Sequence, residues 1–177
     1  MIDQQVVAQI LGFLSFALGI YTFYQKDDKK LKIIMVVFSL NHMVHFILLG
    51  SIVSALSALL SAIRTTTSIY ISSTKVAILF ILLGLCSGFY LADSIWDLWA
   101  VLGMSLGTYA VFVLKGIPMR IVFVLGAMCW LINNILVGSI GGVLLEATLI
   151  TVNVTTIVRL LRDNRLAVEL KEKAVEL

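Results

Sequence analysis

Arg64 and Glu146 stand inside long apolar runs, where an ionisable side chain needs a physical reason to be. An arginine or an acid at the centre of a membrane-spanning helix costs roughly 2.5–3.5 kcal/mol on insertion scales, so such residues face an interior or a water-filled path. Arg64 lies 12 residues into a run that starts at 52, about 18 Å along a helix. It can serve an interior role, or its long side chain can snorkel toward the boundary near Ser72. Glu146 lies six residues into the last run, about 9 Å along. A carboxyl there can be protonated and bonded between helices, hold a proton or a cation, or pair with Arg64.

His42 and His45 are three residues apart, with Asn41 four before His45, so they share a helix face. Helix packing, contact with a substrate and proton relay all suit such a pair. A metal is not expected, because two ligands are too few and no Cys or third His joins them. Asn133, Asn134, Thr151 and Asn153 add hydrogen-bonding capacity late in the chain, and Thr65, Thr66 and Thr67 do so earlier. Bonding between helices accounts for such groups as well as solute contact does. Trp130 lies deeper than an interfacial belt residue, where it can stack on a planar or sugar-like ligand or pack in a core. Trp96 and Trp99 read as interfacial anchors.

The chain that must position these residues has 177 residues, 60% hydrophobic and only 13% charged, with a mean hydropathy of +1.07. Soluble domains carry about 25% charged residues. Seven apolar runs fall at about 6–24, 31–49, 52–72, 76–92, 95–114, 118–137 and 140–161, each near the ~20 residues that span a bilayer. Little chain is left over for an extramembrane catalytic domain. The runs lack the alternation of barrel strands, and open strands cannot sit in lipid, so helices are expected. Pro118 suits a helix start. Cys86 and Cys129 lie in apolar runs and read as buried thiols rather than a disulfide. The first residues lack a basic leader region, so the first run reads as a retained span.

Basic residues set the orientation. Lys26, Lys29, Lys30 and Lys32, then Lys75, then Lys115 and Arg120, then Arg159, Arg162, Arg165, Lys171 and Lys173 fall at alternate connections and the C-terminal end. With seven spans these all lie on one side, the cytoplasm, and only Asp3, Asp93 and Asp97 lie opposite. The N-terminus is then outside and the C-terminus inside. The net charge of +3 therefore marks orientation, and no nucleic-acid partner is expected.

An internal repeat organises the runs. Shifted by 88 positions, residues 19–70 fall on 107–158 without a gap. Gly19 and Tyr21 meet Gly107 and Tyr109; Lys32-Ile33 meets Arg120-Ile121; the string from Ile47 to Ile52, with its Gly50-Ser51 pair, meets that from Ile135 to Ile140 with Gly138-Ser139. Trp130 falls opposite His42, Asn133 opposite His45, Ala58 opposite Glu146 and Val152 opposite Arg64. Two three-helix units joined by one odd helix share an orientation and form parallel repeats about an axis along the membrane normal. The units are 1–75 and 95–161, with a linker helix over 76–94 and a cytoplasmic tail helix over 162–177.

This 3+1+3 plan is similar to that of the SWEET sugar transporters, the PQ-loop proteins and the PnuC-type transporters, although the Pro-Gln pair of the PQ-loop proteins is absent. At the level of motifs, Ala62-Ile63-Arg64-Thr65, Lys115-Gly116 with Met119-Arg120, Cys129-Trp130 with Ile132 and Asn134, Gly138-Ser139-Ile140-Gly141-Gly142 with Glu146, and His45-Phe46 with Gly50 resemble the YgjV-type bacterial inner-membrane family. The resemblance covers nearly all of the chain except its last fifteen residues, and implies a multi-pass inner-membrane protein without assigning a substrate.

Gly84 with Gly88, Gly103 with Gly107, Gly12 with Gly19, and the Ser54-Ala58-Ala62 stripe permit close helix contacts within the bundle or between subunits of a homo-oligomer. Leu166, Leu170 and Leu177 give the tail one apolar side, suited to a membrane surface or a partner. No kinase signature, phosphate loop or His-Glu-x-x-His is present, and neither enzymatic activity nor a cofactor is expected. The expected function is passage of a small polar solute through a central site between the units, carried by Arg64 and Glu146, then His45, His42, Asn133, Asn134, Trp130 and Asn153. The alternative is a non-transporting membrane scaffold or binding subunit.

Overall fold

A computed structural model describes residues 3–24, 28–71, 73–114 and 116–175. The described residues fold into seven α-helices and no strands: α1 Gln4–Tyr24, α2 Asp28–Leu48, α3 Ile52–Tyr70, α4 Thr74–Leu91, α5 Leu98–Val113, α6 Gly116–Leu136 and α7 Ile140–Val175. A short 3-10 turn, Ile95–Asp97, precedes α5. The helix expected over the tail is not a separate element, since α7 runs unbroken past Arg162 to Val175. Lys26, Lys115 and Leu177 lie outside the described residues, as do the side chains of Lys29, Leu166, Leu170, Lys171 and Lys173.

The connections follow from local chemistry. Gly50 and Gly138 end α2 and α6 at φ +78° and +72°, a left-handed conformation that glycine adopts without strain. Both ends close alike. The amide of Ser51 donates to the Phe46 carbonyl (3.0 Å) and that of Ser139 to the Asn134 carbonyl (2.8 Å), while Gly50 and Gly138 donate to Ile47 and Ile135. This Schellman pattern satisfies carbonyls that a helix end leaves orphaned. Before α5, the Asp97 carboxylate accepts from the amides of Asp93 and Ser94, and the Ser94 hydroxyl accepts from Trp96, a reciprocal cap. Pro118 stands in the first turn of α6, where its missing N–H costs no helical bond.

Helices α1, α2, α3, α5, α6 and α7 pack in the closed order α1–α2–α3–α5–α6–α7–α1, and α4 lies against α5 and α3 at their seam. Gly84 and Gly88 of α4 face Met104 and Val101 of α5, so this pair of glycines serves contact within the bundle. Gly141 of α7 meets the Gly12 backbone of α1 so closely that a Cβ there would overlap it.

Side chains are sorted inside-out. Leu79, Leu82, Leu83 and Phe89 of α4 and Ile10 and Phe13 of α1 are exposed, while His45, Ser54, Arg64, Asn133, Asn134 and Glu146 are buried. That distribution suits an apolar solvent, in which polar groups seek the interior. Among the described residues, six helices are long and apolar enough to cross a membrane, and α2 adds the apolar stretch Lys32–Leu48. Its polar residues Asn41, His42 and His45 all turn toward other parts of the bundle. Cys129 is buried as expected, but Cys86 is exposed, and both thiols are free.

Candidate functional site

The interior near the two Gly-Ser turns is built from α2 and α6, which face each other across the ring. Phe46 is fully buried and stacks on Trp130, with ring centroids 5.8 Å apart and planes 16° apart. Ala55 and Ala58 of α3 complete this apolar cluster. His42 packs edge-on against Phe46 at 4.5 Å and against Trp130 at 6.3 Å. Gly103 of α5 leaves room for the Trp130 indole. Trp130 is therefore packed on a protein ring and not left open as a stacking platform.

His45 is held at both ring nitrogens. Nδ1 lies 2.6 Å from the Ala8 carbonyl of α1, and Nε2 lies 2.6 Å from Ser139 Oγ. A carbonyl only accepts, so Nδ1 carries the hydrogen and a neutral ring accepts from Ser139 at Nε2. The Ser139 oxygen in turn accepts from the Gly142 amide. Asn133, opposite His45 in the repeat register, plays a similar part: its Oδ1 accepts from Ser54 Oγ at 2.8 Å, and Ser54 accepts from Ser51. The His45–Ser139 and Ser54–Asn133 bonds link α2 and α6 to chain in the other half of the molecule.

Beyond these bonds the polar groups run out of partners. His42 Nδ1, Asn133 Nδ2 and both Nδ2 and Oδ1 of Asn134 are buried without a hydrogen bond. Asn134 is fully buried, and its side chain abuts Gly142 of α7, at whose Cα only a hydrogen fits. Glu146 lies one turn further along α7 on the same face as Gly142, 6% exposed. Among the described residues no salt bridge or hydrogen bond engages its carboxyl. An unsatisfied buried polar group costs roughly 1–3 kcal/mol, so this side of the interior carries a sizeable unmet demand.

Arg64 is equally buried but stands elsewhere. Its Nη1 donates to Thr108 Oγ1 of α5 at 3.3 Å, its Nε has no partner, and Gly107 lies beside it. The pairing of Arg64 with Glu146 considered from the sequence does not occur. The two residues point from their helices toward different neighbours, Arg64 to α5 and Glu146 along the Gly142 face. Asn153 also lies apart from the centre, accepting from Arg120 at 3.3 Å and donating to Leu149. The structure thus gathers His42, His45, Asn133, Asn134 and Trp130 with Glu146 beside them, and leaves out Arg64 and Asn153. Among the described residues no three metal-type ligands converge.

Several contributors carried little sequence signal. Phe46, Ser54, Ser139 and Thr108 are ordinary residues in apolar runs or turns; the 88-residue register puts Phe46 opposite Asn134 and Ser51 opposite Ser139, and nothing in the sequence marks Thr108. Gln9 clamps the α6–α7 turn, donating to the Gly138 carbonyl at 2.7 Å and accepting from the Ile140 amide. One spelling bears on the expectation of no enzymatic activity: Gly103-Met104-Ser105-Leu106-Gly107 reads Gly-x-Ser-x-Gly. It sits inside helix α5, not on a strand-to-helix turn, and the buried Ser105 hydroxyl has no base bonded to it, so the elbow geometry is missing.

Comparison with known proteins agrees with this picture of a polar interior in an apolar shell. Residues 6–164 match the family described as bacterial inner membrane protein, YgjV type. The inner membrane protein YgjV of Escherichia coli strain K12 is 34% identical over 163 residues, covering 92% of this chain and 89% of that protein. No solved structure matches the chain. Family match, relative and apolar helices agree: the chain belongs to the YgjV family of multi-pass bacterial inner membrane proteins.

Proposed function

We propose that this protein is a non-enzymatic carrier that passes a small polar solute across the inner membrane, through the centre between two three-helix units, α1–α3 and α5–α7. In this reading α4 joins the units, all seven helices span, and the N-terminus faces outward. The observation that carries it is the group of buried polar atoms without partners on His42, Asn133 and Asn134, with the buried Glu146 beside them. A folded protein that keeps such groups unsatisfied in its interior loses stability by doing so, and a solute that bonds them accounts for the loss.

The repeat reading draws support from matching interactions. The helix contacts keep their pattern when α1, α2 and α3 are exchanged for α5, α6 and α7. The turns at Gly50 and Gly138 share their bonds. Lys32 reaches the Ser68 carbonyl of α3 at 2.6 Å, and Arg120, opposite it in register, reaches Asn153 of α7. The bonds His45–Ser139 and Asn133–Ser54 each cross between the units. Rocking of one unit on the other would break and remake such contacts while the site stays central.

One feature favours the scaffold alternative: the Phe46–Trp130 stack fills part of the centre. Purified protein in proteoliposomes separates the two. Uptake of a solute from a panel of amino acids, amines, nucleosides and hexoses, above that of empty vesicles and abolished in Asn134→Leu, supports transport. Absence of flux for every class would leave the scaffold. For orientation, Ser94→Cys should be labelled from outside intact cells and Asp28→Cys only after permeabilisation; the reverse pattern would contradict the seven-span arrangement.

A further inference from the structure

The unmet bonds at the centre have a definite chemical sense. Glu146 supplies an acidic group with no cation bonded to it, and Asn134 Oδ1 supplies a second free acceptor. Around them, Asn134 Nδ2, Asn133 Nδ2 and His42 Nδ1 have unused capacity. The one buried guanidinium, Arg64, is engaged with Thr108 of α5 and does not neutralise this side. The stacked pair of Phe46 and Trp130 lies against the His42 ring on one side of this group. All four of its polar side chains are more than nine-tenths buried: His42 at 4%, Asn133 at 2%, Asn134 at 0% and Glu146 at 6% exposure.

We infer that the cluster of Glu146, Asn134 and His42, with Asn133 at its edge, is a binding site for a small primary ammonium ion that also bears a hydroxyl or carbonyl. The inference rests on the reading of this centre as a solute path and adds the class of solute. Each group of the ligand answers a group in the wall. A primary ammonium has N–H donors for the Glu146 carboxylate and Asn134 Oδ1, and charge-assisted bonds of this kind are the strong ones. An oxygen acceptor on the same ligand takes an N–H from Asn134 or Asn133. Aromatic faces attract a cation through the ring quadrupole. A carboxylate solute would meet Glu146 with like charge, and a neutral polyol would leave that charge unpaired. A divalent metal is served poorly, because no third metal-type ligand joins in among the described residues.

The chain's own repeat sets the comparison within the molecule. Shifted by 88 positions, Glu146, Asn134 and His42 fall on Ala58, Phe46 and Trp130, the three residues that meet in the apolar cluster. Each set draws on both three-helix units, and the polar set is the one whose side chains lack partners.

The test is isothermal titration calorimetry at neutral pH on the full chain in nanodiscs, with three probes of similar size and different charge: ethanolammonium, ethylene glycol and glycolate. The inference predicts saturable binding of ethanolammonium, no detectable binding of the other two, and at least a tenfold loss of affinity in Glu146→Gln. Asn134→Leu, which removes both amide atoms, is the second variant and should also weaken binding should Glu146→Gln fail to fold. Preferential binding of glycolate, equal binding of ethylene glycol, an undiminished affinity in either folded variant, or no binding of ethanolammonium at millimolar concentration would overturn it. Vesicle uptake of ethanolammonium then tests the other claim separately. Binding without uptake keeps the site and removes the transport reading; uptake that is unchanged in Glu146→Gln keeps transport and removes this site.

Discussion

At Ala58, Phe46 and Trp130 close ring on ring, and the small alanine side chain fits beside them. In the register-matched set, Glu146 of α7 replaces the alanine, Asn134 of α6 replaces Phe46 and His42 of α2 replaces Trp130. The first set satisfies itself by packing. The second leaves three amide and ring atoms unbonded and an acid without a cation. Two matched sets, each drawn from both halves of the chain, therefore divide the labour, one holding the bundle together and the other holding polar capacity in reserve. The lesson is that equivalence of backbone does not carry equivalence of energy.

The sharpest way to break the contrast is to make the apolar set resemble the polar one. Ala58→Glu adds an overlarge side chain, at about 1–3 kcal/mol, and an unpaired acid, at roughly 2.5–3.5 kcal/mol. The variant should fail to accumulate in the membrane fraction, whereas Glu146→Leu should accumulate at least as well as the parent chain.

Next in size is the pair Phe46→Ala and Asn134→Ala. Loss of the fully buried ring should cost about 3–5 kcal/mol. Removing an amide that makes no bond removes its desolvation burden as well, so Asn134→Ala should change stability by under about 1 kcal/mol. Thermal unfolding followed by size-exclusion chromatography measures both, and equal losses would erase the distinction drawn here.

The two seams between the halves differ too. The α1–α7 seam is backbone on backbone at Gly12 and Gly141, while the α3–α5 seam has the tip of Arg64 near Gly107, 3.4 Å from where a Cβ would stand. Gly141→Ala must push helices apart and should cost about 1–3 kcal/mol. Gly107→Ala meets only the end of a flexible side chain and should cost under about 0.5 kcal/mol.

The smallest effect concerns Arg64 and Glu146. With no bond between them, Arg64→Ala and Glu146→Ala should add in the double variant to within about 0.5 kcal/mol. A coupling well above that would mean that the two charges meet in a second arrangement of the helices.

Much of the helix layout was legible because lipid imposes a simple rule: apolar runs of bilayer length, punctuated by glycine, serine and charge. The Gly50-Ser51 and Gly138-Ser139 pairs marked turns that the structure closes with the same bonds. The neighbourhood of His42, His45, Asn133, Asn134 and Trp130 was also legible, through shared helix faces and the internal register. Partner choice was not. The sequence puts Arg64 and Glu146 on corresponding helices, but which way each points depends on helix rotation, and in the fold Arg64 reaches Thr108. Asn153 read as a central polar group, yet Arg120, one span away, claims it. His45 read as a candidate relay, yet Ala8 and Ser139 occupy both its nitrogens. The Ala8 carbonyl is backbone, and a backbone acceptor leaves no mark in a side-chain pattern. The tail continues α7 because nothing in Arg162-Asp163-Asn164-Arg165 breaks a helix, and a change from apolar to charged residues marks the edge of lipid without marking the end of an element.

Comparative cysteine accessibility measures the difference between the two sets most directly. In a background of Cys86→Ser and Cys129→Ala, a small cationic methanethiosulfonate carrying an ethylammonium group is added to membranes bearing either Glu146→Cys or Ala58→Cys. If the polar set lines the path and the apolar set is packed, Glu146→Cys reacts and Ala58→Cys stays protected. Equal reaction at both positions, or reaction at Ala58→Cys alone, would contradict the account.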